Sequence, residues 1–191
     1  DYSRNLNFPL QGIKFGLPEE FLKNGLNSDI QQIFVTATSL VEKLGGEIVD
    51  INLPHSSLSI PAYYVIAPAE CSSNLARYDG IRFGHRAPNT SSIEELYEKT
   101  RSEGFGAEVK RRVLIGTYAL SSGYYDEYYT KAQKVRRLIK NDFSEAYKSV
   151  DFILSPTTPT TAFPLNEKTD DPTLMYLQDI FTIPASLAGL P

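Results

Sequence analysis

Residues 12–54 constrain the fold more than any other stretch. Gly12-Ile-Lys-Phe-Gly-Leu-Pro18 puts Ile13, Phe15 and Leu17 on one side of a period-two alternation, which predicts a short strand. Ile30, Ile33, Phe34, Ala37, Leu40, Val41 and Leu44 then recur at helical spacing, with Asn27 or Ser28 before them and Gly45 after them. Asn or Ser can cap the start of that helix, and Gly can end it in a left-handed conformation. Val49, Ile51 and Leu53 resume the alternation before Pro54. Strand, helix and strand over this length predict a βαβ unit with parallel strands and a right-handed crossover.

From Pro61 to Lys148 the pattern is mainly helical. Pro61 suits a helix N1 position, and Pro68 should bend or interrupt that helix. Ser92-Ile-Glu-Glu95 is a capping box that opens a helix, which Gly104 can close. A second helix is predicted from about Ala107 to Ser121 and a third from Tyr124 to Lys148, broken near Asn141-Asp142. Phe152, Ile153 and Leu154 form a short apolar run ahead of Pro156, as in a fully buried central strand over about 152–155. Residues 164–174 are polar and contain proline, hence a loop. The expected class is α/β: a mixed sheet flanked by helices, with a largely helical excursion, in a single partial domain over 1–191.

The chemistry that the chain can hold is bounded by what it lacks. His55 and His85 are its only histidines, and Cys71 its only cysteine. No Gly-x-Ser-x-Gly elbow, metal-spaced Cys/His cluster or phosphate-binding loop is present. One cysteine cannot form an internal disulfide and suits a reducing cytosol; its type is usually a small packing residue. A net charge of −4 argues against a strongly basic nucleic-acid domain. The basic run Lys131–Lys140 therefore reads as a solvated helix face. No apolar run reaches the roughly 20 residues that span a bilayer, and the N-terminus lacks the apolar core of a signal peptide. The twelve tyrosines include a cluster at 124–129, which should line one surface.

Two charged residues are candidates for a ligand. Lys110 and Arg111 read as solvated, but Arg112 falls in line with Gly116 and Ala119, at the edge of the stripe of Val109, Val113 and Leu120. Small neighbours leave room for something to approach a guanidinium, which can grip a carboxylate through two parallel hydrogen bonds. A solvated role is the alternative. Asp179 has apolar neighbours on both sides, so its carboxylate needs a partner if buried; a helix cap or an internal ion pair would serve as well as a ligand. Tyr63, beside Tyr64, reads as a half-buried helix residue. The Ser155–Thr161 loop lies at a strand end, where α/β sheets often bind ligands, but it is equally a rigid turn.

The blocks Ala-Glu-Cys-Ser-Ser-Asn-Leu-Ala-Arg-Tyr-Asp-Gly-Ile-Arg-Phe-Gly-His-Arg (69–86), Arg-Ser-Glu-Gly-Phe-Gly (101–106), Lys-Arg-Arg-Val (110–113) and Ser-Ser-Gly-Tyr-Tyr-Asp-Glu-Tyr-Tyr (121–129) carry a resemblance. So do Ser-Pro-Thr-Thr-Pro-Thr-Thr-Ala-Phe (155–163) and Ile-Pro-Ala-Ser-Leu-Ala-Gly-Leu-Pro (183–191). The chain resembles the C-terminal half of the A subunits of tRNA-dependent amidotransferases, within the amidase-signature family. The resemblance implies a cytoplasmic heterotrimer. Its A subunit hydrolyses glutamine through a Ser activated by a second Ser and a Lys, all three upstream of the residues here. It implies that ammonia passes to the B subunit, which uses ATP and magnesium to amidate Glu-tRNA(Gln), and that a small C subunit secures the pair. It further implies that Arg112 holds the α-carboxylate of glutamine, that Asp179 receives its α-ammonium, and that Tyr63 borders the pocket. On this reading the chain itself carries no cofactor, no nucleophile and no glutaminase activity of its own. A general amidase of the same fold and a non-enzymatic interaction module are the rival expectations.

Overall fold

The structure, a computed structural model, describes residues 1–23, 25–165 and 172–191. Strand β1 (Lys14–Pro18) is the middle of a parallel sheet, with β2 (Glu47–Ile51) on one side and β3 (Phe152–Ile153) on the other. Phe15 sits opposite Ile48 on β2 and Phe152 on β3, and its ring stacks on Phe152 at 5.6 Å between centroids. Gly16 is required sterically. A Cβ there would lie 2.8 Å from Ile51 Cδ1 and 3.0 Å from Val150 Cγ2, so the missing side chain lets two branched residues close over the sheet. The alternating pattern thus produces the expected βαβ unit.

The crossover helix α2 (Ser28–Lys43) follows the short α1 (Glu19–Lys23). Asn27 caps α2 by accepting from Asp29 N at 2.8 Å, and Gly45 ends it at φ +94°. Its apolar stripe is less covered than the spacing predicts: Ile30, Phe34 and Val41 are half-buried, while Ile33, Leu40 and Leu44 are exposed. Gly46 marks the contact that does form, since a Cβ there would strike Val41 Cγ1 and the Phe15 ring.

The strand expected to be fully buried over 152–155 is instead an edge. Phe152 is 54% exposed, and Ile153 and Leu154 are half-buried. The reason is its place in the order, with β1 as its strand neighbour among the described residues. Backbone bonds from Asp151 N to Lys14 O and from Leu154 N to Gly16 O, each 2.9 Å, extend the pairing at both ends. The Asp151 carboxylate also accepts from Lys14 N at 2.9 Å.

Two compact units result: residues 1–60 with 135–191, and residues 61–134. In the first, Leu53, Ile139, Phe143, Val150, Ile183 and Leu187 are buried, and Phe21 meets Phe181 edge-on at 5.2 Å. Helix α6 (Lys131–Ala146) runs through Asn141-Asp142, so the expected break is absent. Asp142 does not turn back on its own backbone. Its carboxylate accepts from His55 N at 2.8 Å and meets His55 Nδ1 at 2.9 Å. Arg136, in the run read as solvated, is half-buried and donates from Nε to Leu187 O at 2.8 Å. Helices α7 (Pro172–Leu177) and α8 (Ile183–Ala188) complete this unit. Residues 172–174, expected in a loop, begin α7, and the rest of that expectation over 166–171 lies outside the described residues.

The second unit is helical. Helix α3 (Ser59–Asn74) starts two residues before the expected Pro61 and continues through Pro68. It is followed by α4 (Ile93–Gly104) and α5 (Ala107–Ala119). Ser92 caps α4 by accepting from Glu95 N at 3.1 Å. The reciprocal bond goes to the preceding residue: Glu95 accepts from Ser91 N at 2.7 Å and Ser91 Oγ at 2.5 Å. A hydrogen bond from Lys99, and after it these Ser91 contacts, hold the Glu95 carboxyl at a pKa of about 2. A π-helical turn, Asp126–Thr130, precedes α6 where the pattern predicts regular helix. No helix among the described residues is long and apolar enough to cross a membrane.

Candidate functional site

Arg112 lies on α5 and its side chain is 30% exposed. Glu108 is one turn earlier on the same helix, in the first turn, where a carboxylate also complements the helix dipole. Helical spacing brings the two together, and Arg112 Nε donates to Glu108 Oε1 at 3.0 Å. The other oxygen, Oε2, accepts from Arg111 Nη1. From α3, Tyr63 lies close enough to the Arg112 guanidinium to favour its charge. The neighbouring Tyr64 presents its ring face, with Cζ of Arg112 at 5.7 Å from the centroid. Tyr63 and Tyr64 meet edge to face at 5.0 Å between centroids, with their ring planes at 90°. Desolvation opposes the charge on Arg112, but the hydrogen bond to Glu108 and the nearby Tyr63 outweigh it and raise its pKa. Arg112 is thus a locked cation with its Nε spent on Glu108, one face covered by an aromatic ring and a side chain still partly exposed.

What holds α3 against α5 at this point is Gly116. A Cβ there would lie 1.9 Å from the Pro68 carbonyl oxygen. Gly116 therefore admits the backbone of α3, not a ligand, which corrects the expectation drawn from its spacing to Arg112. It is the Pro68 backbone carbonyl that Gly116 meets, and Pro68 is itself fully buried. The close crossing is what brings Tyr63 and Tyr64, just over a turn before Pro68, within reach of a guanidinium on α5.

Tyr63 is half-buried, as expected; it lies beside the cation, while Tyr64 stacks under it. Glu108 and the stacking role of Tyr64 were not foreseen. The signal for Glu108 was present as an acid four residues before a base. Lys110 and Arg111 are exposed, though Lys110 Nζ donates to Ser102 O at 2.7 Å.

Asp179 belongs to the other unit. It is exposed, not buried among its apolar neighbours, because it sits just after α7, where Asp179 N bonds Tyr176 O and Thr182 and Ile183 donate to Asp179 O. Its backbone makes these turns, and among the described residues its carboxylate has no hydrogen-bond or ion-pair partner. Neither a cap nor an internal ion pair accounts for it there. The Ser155–Thr161 loop is a structural turn: Pro159 O accepts from Asn27 N at 2.9 Å, Thr158 Oγ1 donates to Thr160 O, and Thr160 Oγ1 bonds Gln178.

The tyrosine cluster does form a surface. Tyr118 packs on Tyr124 and Tyr128 with centroids 4.5 and 6.0 Å away. A hydrogen bond with Tyr124 is the main cause that pushes the Tyr118 hydroxyl up to about 12. On the other side, Tyr125 and Tyr129 line a cleft of about 460 Å³ with Ala69, Glu70, Ser73, Asn74 and Leu120. Cys71 is half-buried, less enclosed than its type suggests.

The sequence matches the Amidase family over residues 1–191. It is 60% identical over its whole length to the A subunit of the glutamyl-tRNA(Gln) amidotransferase of Hahella chejuensis, and 58% identical to that of Thiobacillus denitrificans. The chain spans about 40% of the length of these curated relatives. Among solved structures, the glutamyl-tRNA(Gln) amidotransferase A subunit of Thermotoga maritima matches with a TM-score of 0.69 at 40% identity, over 97% of this chain and 35% of that one. A bacterial aryl acylamidase of the amidase-signature enzymes matches with a TM-score of 0.61 at 16% identity, over 94% of this chain and 37% of that one, a likeness of fold alone.

Proposed function

The chain belongs to the Amidase family, and from that premise we propose that it is the glutamine-binding portion of the A subunit of a tRNA-dependent amidotransferase. The identity to amidotransferase A subunits supports this assignment, extending over the whole chain at 60% to one of them. The observation that carries the chemistry is the locked guanidinium of Arg112, held by Glu108 with Tyr64 beneath it. A fixed, permanently charged and partly exposed fork is suited to a carboxylate. In this reading Arg112 holds the α-carboxylate of glutamine, Asp179 accepts its α-ammonium, and Tyr63 borders the pocket. The exposed carboxylate of Asp179, without an internal partner among the described residues, is consistent with a ligand role. A zwitterion clamp has no use in the apolar acyl site of a general amidase, which is why the glutamine reading is preferred.

The clamp supplies position. Gripping both charged ends of the amino acid leaves the side-chain amide as the free end, presented to the nucleophile of the complete enzyme. Ammonia released there passes to the B subunit, which uses ATP and magnesium to amidate Glu-tRNA(Gln), and the C subunit holds the cytoplasmic complex together. The chain's own residues bind and orient.

The test separates glutamine use from ammonia use in the complete enzyme. Arg112→Ala and Asp179→Ala each leave a charge of the substrate unpaired, a loss of about 2–5 kcal/mol. Glutamine-dependent turnover should fall by about 30-fold or more, while turnover driven by added ammonium salt persists. Equal loss of both activities, or unchanged glutamine use, would refute the clamp.

A further inference from the structure

We propose that Glu108 is a positioning residue that dictates how Arg112 receives its ligand, an inference that rests on the carboxylate-binding role given to Arg112 above. An arginine offers five N–H donors in a planar fork, and a carboxylate can dock either side-on, across Nε and one Nη, or end-on, across the two Nη atoms. Here Nε is spent on Glu108 Oε1 at 3.0 Å, so the side-on approach is closed. The ring of Tyr64 covers one face. End-on docking across the two Nη atoms is the mode that remains, with Tyr63 beside the guanidinium, and it fixes the direction from which the α-carboxylate enters.

Glu108 is itself prevented from swinging away. Its second oxygen is held by Arg111, so Arg111, Glu108 and Arg112 form a chain of two cations around one anion. The group carries a net charge of +1, which matches a single substrate carboxylate. Without Glu108 the guanidinium would gain a free Nε–H and a second docking edge, and the two cations would repel each other. The contribution of Glu108 to folding should be small, because exposed ion pairs one helical turn apart stabilise little. That makes substitution at Glu108 a clean probe of position.

The experiment uses the complete amidotransferase, with Glu108→Ala, Glu108→Gln and Arg112→Ala compared by steady-state kinetics. Two amide substrates are used: glutamine, and 4-aminobutyramide, which keeps the amide and the ammonium but has no α-carboxylate. Glu108→Ala should raise KM for glutamine about tenfold, within the range that misplacing a binding group produces, with kcat little changed. Turnover of 4-aminobutyramide should not change. Glu108→Gln should restore most of the loss, because its amide oxygen can accept the same bond from Nε. If Arg112→Ala cripples glutamine use while Glu108→Ala leaves KM unchanged, the positioning role is overturned and the clamp stands. If Arg112→Ala itself leaves glutamine use intact, the clamp falls first. Glu108→Gln behaving like Glu108→Ala, or equal losses on both substrates, would also overturn it, since charge or general damage would then be the cause.

Discussion

Adding one methyl group at Gly116 tests the crossing on which the Arg112 site depends. The new Cβ would lie 1.9 Å from the Pro68 carbonyl oxygen, 2.4 Å from its carbon and 2.9 Å from Ala69 N. Ordinary contact is reached near about 3.5 Å, so α3 and α5 must part by about 1.5 Å. All three obstacles are backbone atoms, which no side-chain rotation can move. Overpacking of this kind costs about 1–3 kcal/mol, and a rigid obstacle belongs at the upper end. Alanine recovers about 1 kcal/mol as the better helix former. The net loss is therefore about 2 kcal/mol, which lowers Tm by about 4–8 °C in a chain of this size. Thermal unfolding followed by far-UV circular dichroism measures it. Gly104→Ala is the control: its Cβ would meet only His85 Cβ at an ordinary 3.8 Å, and the change should be neutral or stabilising by up to about 1 kcal/mol. A Gly116→Ala protein as stable as the parent, or two variants that behave alike, would refute the steric argument.

Asp142→Ala should destabilise the unit of residues 1–60 and 135–191 by about 1–3 kcal/mol, because it strands the His55 N–H and ring nitrogen that the carboxylate now serves; urea unfolding checks this, with the exposed Glu145→Ala expected to be silent. Glu95 titrates at about 2 when folded, against an ordinary 4.5, chiefly through its bond from Lys99 and then through Ser91. A depressed carboxyl contributes stability above its unfolded pKa and loses that contribution as pH falls from about 4.5 towards 2. Glu95→Gln should flatten the acid limb in that window and leave its shape near neutrality unchanged; an identical acid limb in both proteins would contradict the capping role. Titration of the Glu95 carboxyl by NMR gives the same test directly, and a midpoint near 4.5 would count against it.

The βαβ unit was legible in the sequence because alternation and helical spacing report which face of an element is apolar, and Asn27 and Gly45 are local signals that need no tertiary partner. The capping box at Ser92 was legible for the same reason. Arg112 could be singled out by residue type, and Glu108 was readable as its helical neighbour. Other features depended on residues distant in sequence. Gly116 reads as room for a ligand until Pro68, 48 positions earlier, is seen to fill it. Asp142 reads as a helix breaker until His55, 87 positions away, takes its carboxylate. Phe152 reads as core because its neighbours are apolar, yet among the described residues its strand pairs on one side, with β1. Asp179 reads as buried by its neighbours but is exposed by the turn between α7 and α8. Local spacing determines an element's type and its apolar face; burial, close approach and the partner of each polar group depend on which elements meet, and only the tertiary structure decides that.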